Sequence, residues 1–383
     1  MIIEIVENYL DYRKRTTLIT EREKEILRFI KESPMIKQQE LAEKVGITRS
    51  SVAVHISNLM NKGYIEGKGY VVRKDEYVSI VGGANIDLIG LSHKPIIQGD
   101  SNPGRVEILL GGVGRNQAHN LRLLGVDVRM ITAFGSDFNG DRLRHNCIEL
   151  GIDISNSIVV PNCKTSTYLS IVDSDGTLRE GINEMDIYEH LTSEVLLSKM
   201  QVINRSSVCL VDTNIEQNTI ETLASETQIP LFCETISVAK ARRIRNILPY
   251  IHTLRSDLAD IECLLNRSIN CESEINEAID ILLSKGIKRV YIIMSSRDII
   301  CASAERRLRL SYETSKITSK NGARDSFMAA LVWAYTKDMD LETAALAGMA
   351  SATICSSSHN MVNEQLNESY LMEMMGKIKS RAV

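Results

Sequence analysis

Tyr77-Val78-Ser79-Ile80-Val81-Gly82-Gly83-Ala84-Asn85 is the stretch on which the reading of this 383-residue chain turns. An apolar run rich in branched side chains suits a strand buried on both faces, and the paired glycines end it in a turn. Working outward, later strands are predicted at Met130–Ala133, Ser207–Asp212, Pro230–Cys233, Ile251–Leu254 and Arg289–Met294, with helical patterns between them. Such alternation predicts an α/β fold, a mainly parallel sheet with helices on both faces. Ligands of these sheets sit at the carboxyl ends of the strands, so the residues that follow each strand are the candidates for chemistry.

Upstream of Tyr77 the pattern is different. Length allows two domains, and the change of pattern divides them into residues 1–75 and 76–383. Residues 1–19 read as a helical leader ending in Arg13-Lys14-Arg15. Thr20-Glu21-Arg22-Glu23 has the form of a capping box, followed by a helical apolar face of Ile26, Leu27, Phe29 and Ile30. A second helix is predicted over Gln38–Val45. After the turn Gly46-Ile47-Thr48, Thr48 caps a third helix with the stripe Val52, Ile56, Leu59 and Met60. Residues 63–66 and 67–72 read as two short strands around a glycine turn.

Three helices and a hairpin of this size resemble a winged helix-turn-helix. In that arrangement the third helix would enter the major groove of DNA, with Arg49, Ser50 and Ala53, then Ser57 and Lys62, facing bases or phosphates. Lys68 and Arg73 would be wing contacts to the backbone. The other use of such a module is protein interaction or dimerisation. Residues 1–74 carry a net charge of +4 against −8 for the remainder, which permits nucleic acid at the front end and argues against it for the body.

The composition, 44% hydrophobic and 25% charged, is that of a soluble protein. No apolar stretch is long enough to span a bilayer, and the acids in Met1-Ile2-Ile3-Glu4-Ile5-Val6-Glu7 are unlike a signal peptide. The eight cysteines are scattered without a C-x-x-C pair. The expectation is a reduced, cytoplasmic protein without structural zinc, its cysteines serving as small buried apolar groups.

Near the other end, Asn321-Gly322-Ala323-Arg324-Asp325 precedes the apolar run Phe327–Val332. A glycine turn opening a buried helix aims free backbone N–H groups at one point, where the helix dipole favours negative charge. Asp325 at the mouth of that nest suits phosphoryl transfer, taking the proton of an acceptor hydroxyl while the amides hold the phosphoryl oxygens. Gly111-Gly112-Val113-Gly114-Arg115-Asn116 is a second glycine-rich turn; alone it is more often a turn than a site. Asn85-Ile86-Asp87 adds a carboxylate able to hold a vicinal diol, although a cap is the default role of such an aspartate. A dinucleotide-dependent oxidoreductase fails on placement, since no G-x-G-x-x-G follows the first strand.

Taken together, Gly82-x-x-Asn85-x-Asp87, Gly111-Gly112-x-x-x-Asn116, Gly135-Ser136-Asp137-x-x-Gly140 and the Gly322–Asp325 turn resemble the ribokinase-like (PfkB-type) sugar and nucleoside kinases. The order and separations match over about residues 77–375. Asp100-Ser101-Asn102-Pro103-Gly104, Thr165-Ser166-Thr167-Tyr168-Leu169 and Ile182-Asn183 are similar to the pseudouridine kinases, a branch in which a winged helix ahead of the kinase is a known arrangement. The resemblance implies that Asp87, Gly112 and Asn116 hold a ribose-like ring, with Thr167 and Asn183 on or under a lid near the base or sugar. That lid would be a small β-sheet drawn from about residues 90–110 and 166–182, often the dimer contact in relatives, so a homodimer is expected. Asp325 would be the general base on a terminal (5′-type) hydroxyl, with Gly322, Ala323 and Arg324 contributing to the nest. ATP would be the co-substrate and Mg²⁺ would bridge its phosphates.

The nucleotide half departs from the family pattern. The expected glycine-rich turn reads Met294-Ser295-Ser296-Arg297-Asp298, which brings Ser295 and Arg297 beneath the nucleotide. The usual Asn-x-x-Glu appears as Asp257-Leu258-Ala259-Asp260, leaving Asp257 for nucleotide and Asp260, helped by Glu262, for metal. Arg324 stands where a glycine is expected; it could crowd the γ-phosphate or act as an arginine finger. Two functions follow: an ATP-dependent nucleoside kinase with a DNA-binding head, or a nucleoside- or sugar-responsive transcription regulator with a weakened kinase fold.

Overall fold

The computed structural model describes residues 19–33, 35–62, 64–65, 77–295, 298–311 and 322–382, with the side chains of 295 and 379–382 left out. The expected leader, most of the expected hairpin, and Lys68, Arg73, Arg297 and Asn321 lie outside the described residues. The chain divides into two compact units, Met1–Asp75 and Glu76–Val383.

In the first unit, α1 (Glu21–Glu32) starts on the capping box: Thr20 Oγ1 accepts from Glu23 N at 3.2 Å, and Glu23 Oε2 accepts from Thr20 N at 2.7 Å. Next comes α2 (Gln38–Val45), which ends on left-handed Gly46. The third helix, α3 (Arg49–Asn61), is capped by Thr48, which accepts from Ser51 N at 3.1 Å. Helices this short do not persist alone in water. Each supplies one apolar stripe, and Ile26, Ile30, Leu41, Val52, Ile56 and Leu59 bury together as a common core.

The second unit carries fifteen strands among the described residues. They are β1 (Tyr77–Val81), β2 (Asn85–Ser92), β3 (Gly104–Gly111), β4 (Asp127–Ile131), β5 (Ala133–Gly135), β6 (Ile158–Val160), β7 (Thr167–Val172) and β8 (Leu178–Glu184). The rest are β9 (Val208–Asp212), β10 (Leu231–Glu234), β11 (Ile251–Asp257), β12 (Arg289–Ser295), β13 (Asp298–Ser303), β14 (Arg307–Ser311) and β15 (Lys379–Ala382). In the main sheet β4, β1, β9, β10, β11 and β12 run parallel in that order, and β13, β14 and β15 continue it antiparallel. The expected strand Met130–Ala133 is divided: β4 ends at Ile131, and Ala133 opens β5, which pairs with β6 in a sheet of its own.

Both faces of the parallel strands are apolar, and successive residues feed opposite cores. Val78, Ile80, Leu210 and Phe232 pack toward α4 (Val113–Leu123), α6 (Ala323–Thr336) and α7 (Leu341–Ser356). Val81, Cys209, Val211 and Cys233 pack on the other side, where α5 (Leu258–Leu265) contributes Ile261 and Leu264. Burying each of these larger side chains contributes about 1.5–3 kcal/mol, so the sheet is held from both sides.

The lid is the four-stranded sheet β3-β2-β7-β8. It starts earlier than expected, at Asn85, so Asp87 is a lid residue. Register sets its two faces. Asp87 pairs with Tyr168, and Tyr168 with Asn183, so these three share the inner face. Val106, Ile108, Ile171 and Ile182 lie on the outer face, between 38% and 73% exposed.

Candidate active site

The acceptor side is assembled where β1, β2 and α4 meet. Gly112 caps α4 with φ +98°, and a Cβ there would lie 2.5 Å from Ala84 Cα, so no other residue fits without moving the β1–β2 turn. One turn into the helix, Asn116 Nδ2 donates to Asp325 Oδ2 at 2.7 Å. Arg115 fixes that amide, its Nη1 donating to Asn116 Oδ1 at 3.0 Å and to Leu110 O at 2.9 Å. Asn85 Nδ2 donates to Asp87 Oδ1 at 2.5 Å. Burial pushes the Asp87 carboxyl up to about 6, against the pull of Asn85 and the Arg115 charge.

Gly322 opens α6 in the left-handed region, φ +71°, where a Cβ would collide with the Met361 carbonyl. The amides of Ala323, Arg324 and Asp325 form the first turn, which has no carbonyl of its own helix to bond. Asp325 is the third residue of that turn, buried beside these amides. Burial pushes its carboxyl up to about 7; the Asn116 bond opposes this and the charge of Asp212 adds to it. This combination suits a base working near neutral pH.

Arg324 turns away from Asp325. Its Nη2 pairs with Asp257 Oδ2 and its Nη1 donates to Ile236 O at 3.2 Å. Asp257 holds a second cation, Arg255 Nη2, at 3.1 Å from Oδ1. Asp260 is buried and accepts from Thr235 Oγ1 at 2.8 Å. Glu262 does not join it, which corrects its place in the expected metal set: two residues along α5 it lies on the opposite face and accepts from Ile269 N at 2.7 Å. Among the described residues no three His, Cys, Asp or Glu side chains converge, and Asp257 is already neutralised by two arginines. Mg²⁺ ordinarily needs only one or two carboxylates beside nucleotide phosphates and water, so Asp260 is the residue that would hold it here. Only the backbone of Ser295, at the end of β12, is described.

Two further expectations change. Thr167 falls on the lid face shared with Ile86, opposite to Asp87, because side chains alternate along β7; the neighbouring Tyr168 takes the inner face instead. Tyr168 Oη lies 2.7 Å from where a Cβ on Gly181 would be, so the phenol rests along the inner face of β8. In the first unit, Lys62 Nζ binds Glu23 Oε2 at 2.8 Å. Although burial opposes it, that bond and those of Thr20 hold the Glu23 carboxyl below its ordinary value, so the Lys62 charge is committed inside the domain. Arg49, Ser50, Ala53 and Ser57 remain exposed on α3.

Sequence reasoning missed the carboxylates that end successive parallel strands. Asp212 closes β9, where it accepts from Gly83 N and Asn214 N, both at 2.8 Å. Glu234 closes β10, in register with Asp212 on one side and Arg255 on the other. Its Oε2 accepts from Gln117 Nε2 at 2.5 Å and its Oε1 lies 3.1 Å from Arg255 Nη1. An apolar strand ending on an acid (Val-Cys-Leu-Val-Asp, Leu-Phe-Cys-Glu) was the available signal.

A parallel sheet with a small β-sheet lid, a buried carboxylate at a helix N-terminus and a second carboxylate on the lid make the arrangement of a phosphotransferase acting on sugar or nucleoside hydroxyls. The chain belongs to the pfkB family of carbohydrate kinases, which it matches over residues 75–367; residues 19–66 match winged helix-turn-helix DNA-binding modules. It is 34% identical over 350 residues to an uncharacterized sugar kinase, YeiI, of Escherichia coli, covering 90% of this chain and 96% of that one. It is 32% identical over 271 residues to the pseudouridine kinase of the same organism, covering 70% of this chain and 86% of the relative. Ribokinase of Thermotoga maritima has the same fold at 21% identity, with a TM-score of 0.70 over 79% of this chain and all of that one.

Proposed function

We propose that the chain transfers the γ-phosphoryl group of ATP to the terminal (5′-type) hydroxyl of a nucleoside, pseudouridine, with Asp325 as general base. The observation that carries this reading is the buried Asn116–Asp325 contact at the first turn of α6, which aims a carboxylate of raised pKa at the spot where the helix amides would gather phosphoryl oxygens. The hydroxyl oxygen attacks the γ-phosphorus, its proton passes to Asp325, and the bond from phosphorus to the β,γ-bridging oxygen breaks to release ADP. Gly322, Ala323 and Arg324 supply the nest, while Asp87, Gly112 and Asn116 hold the ring hydroxyls. Asn183 and Tyr168, on the inner lid face, lie toward the base, and the lid excludes water on closing. Asp257, Ser295 and Arg297 are the nucleotide side. Likeness to a pseudouridine kinase supports the choice of nucleoside.

The protein is cytoplasmic in this reading; no helix among the described residues is long and apolar enough to cross a membrane. Its winged helix binds double-stranded DNA through Arg49 and Ser50, and the outer lid face pairs with a second copy. The Arg324–Asp257 ion pair favours a second reading, a nucleoside-responsive regulator with slow turnover, because a guanidinium already neutralised is less available to phosphate. One assay separates them. Asp325→Asn should lower the rate of nucleoside phosphorylation by about a thousandfold or more while calorimetry finds pseudouridine binding little changed. Equal turnover in variant and parent removes Asp325 from the mechanism, and binding without any phosphoryl transfer in the parent establishes the regulator.

A further inference from the structure

Glu234 and Arg255 have no part in the chemistry above, yet each is only 2% exposed by side chain. Their ion pair lies in an unbroken series of contacts. On the acceptor side, Asn116 holds Asp325, and its neighbour Gln117, on the same turn of α4, holds Glu234. Glu234 pairs with Arg255, Arg255 with Asp257, and Asp257 with Arg324. Arg324 is the covalent neighbour of Asp325, so the series closes on itself.

The exposed link is Arg324, whose side chain is half open to solvent while its partner Asp257 sits at the end of β11. A phosphate reaching the first turn of α6 offers Arg324 a second anion. If the guanidinium moves to it, Asp257 retains Arg255 alone, and Arg255 must divide itself differently between Asp257 and Glu234. Inside the fold this redistribution is weakly screened. Glu234 can answer through its other partner, Gln117, next to the amide that orients Asp325, and the charges of the pair also reach Asp325 directly.

We infer that Glu234 and Arg255 are positioning residues whose buried pair links the Arg324–Asp257 contact to the Asn116–Asp325 contact, so that nucleotide and nucleoside each sense the other's presence. The inference rests on the kinase reading above. It is tested by binding, with pseudouridine and the non-hydrolysable nucleotide adenylyl-imidodiphosphate titrated calorimetrically into the full chain, each alone and each against the other saturated. In the parent protein one ligand should change the affinity of the other by about fivefold or more, equally in both directions. In Glu234→Gln, which keeps the side-chain shape, both ligands should bind alone with the factor reduced toward one, and Arg255→Lys should retain part of it. Arg324→Gln, at the exposed link, should also abolish the factor, and it decides the matter if the buried variants do not fold. The same factor in Glu234→Gln as in the parent overturns the inference, as does a parent that binds both ligands independently. A parent that binds neither overturns the kinase reading and the inference with it.

Discussion

Asp325 is the residue whose chemistry is most exposed to test. Its carboxyl stands well above its ordinary value near 3.8, at about 7, through burial. Asn116 and the Arg255 charge pull it down, and the charges of Asp212 and Asp87 push it up. As a base it must be ionised, so kcat/KM should rise with pH and level off near 7, and Asn116→Ala should move that limb to higher pH. The stability effect has the opposite sense. A carboxyl raised in the folded state favours folding fully below its unfolded value, and that contribution is lost as pH rises through about 7. The melting temperature of Asp325→Asn should therefore gain on the parent between pH 5 and pH 8; a constant difference would show that Asp325 titrates normally. The Gly322–Asp325 turn was readable from residue order because a cap is local. The partner of Arg324 was not, since Asp257 lies 67 positions away. Nor was the partner of Lys62, since Glu23 lies 39 positions back.

At the scale of elements, the helices of the first unit and the parallel strands followed their periodicities closely, because each pattern needs only a few neighbours. The lid was harder. Its strands alternate weakly, and a one-residue choice decides which side chain enters the site; pairing Asp87 with Tyr168 sends Thr167 to the other face. The same register lines up Ile108 and Ile182 on the outer face, in step with Leu88 and Leu169 between them. Ile182 is 65% exposed, a costly placement unless something covers it. Light scattering should find the parent protein dimeric and Ile182→Glu monomeric. A dimer that survives this charge does not use the lid's outer face.

For the whole molecule, the chain joins a pfkB-family kinase to a winged helix-turn-helix, and the net charge of +4 on residues 1–74 against −8 on the remainder makes the first unit the place to test for nucleic acid. Arg49→Ala should weaken binding to double-stranded DNA and reduce the slope of log affinity against log salt by about one. Affinity and slope both unchanged would remove the α3 face from the interface. Strand and helix order, caps, glycine turns and family membership are written in residue order, because each depends on side chains within a few positions of one another. The working site is not. Asn116 and Asp325 meet across 209 positions and Gln117 and Glu234 across 117. Burial of those groups, and hence their charge and pKa, exists only after the sheet has brought the ends of β9, β10 and β11 beside α4 and α6.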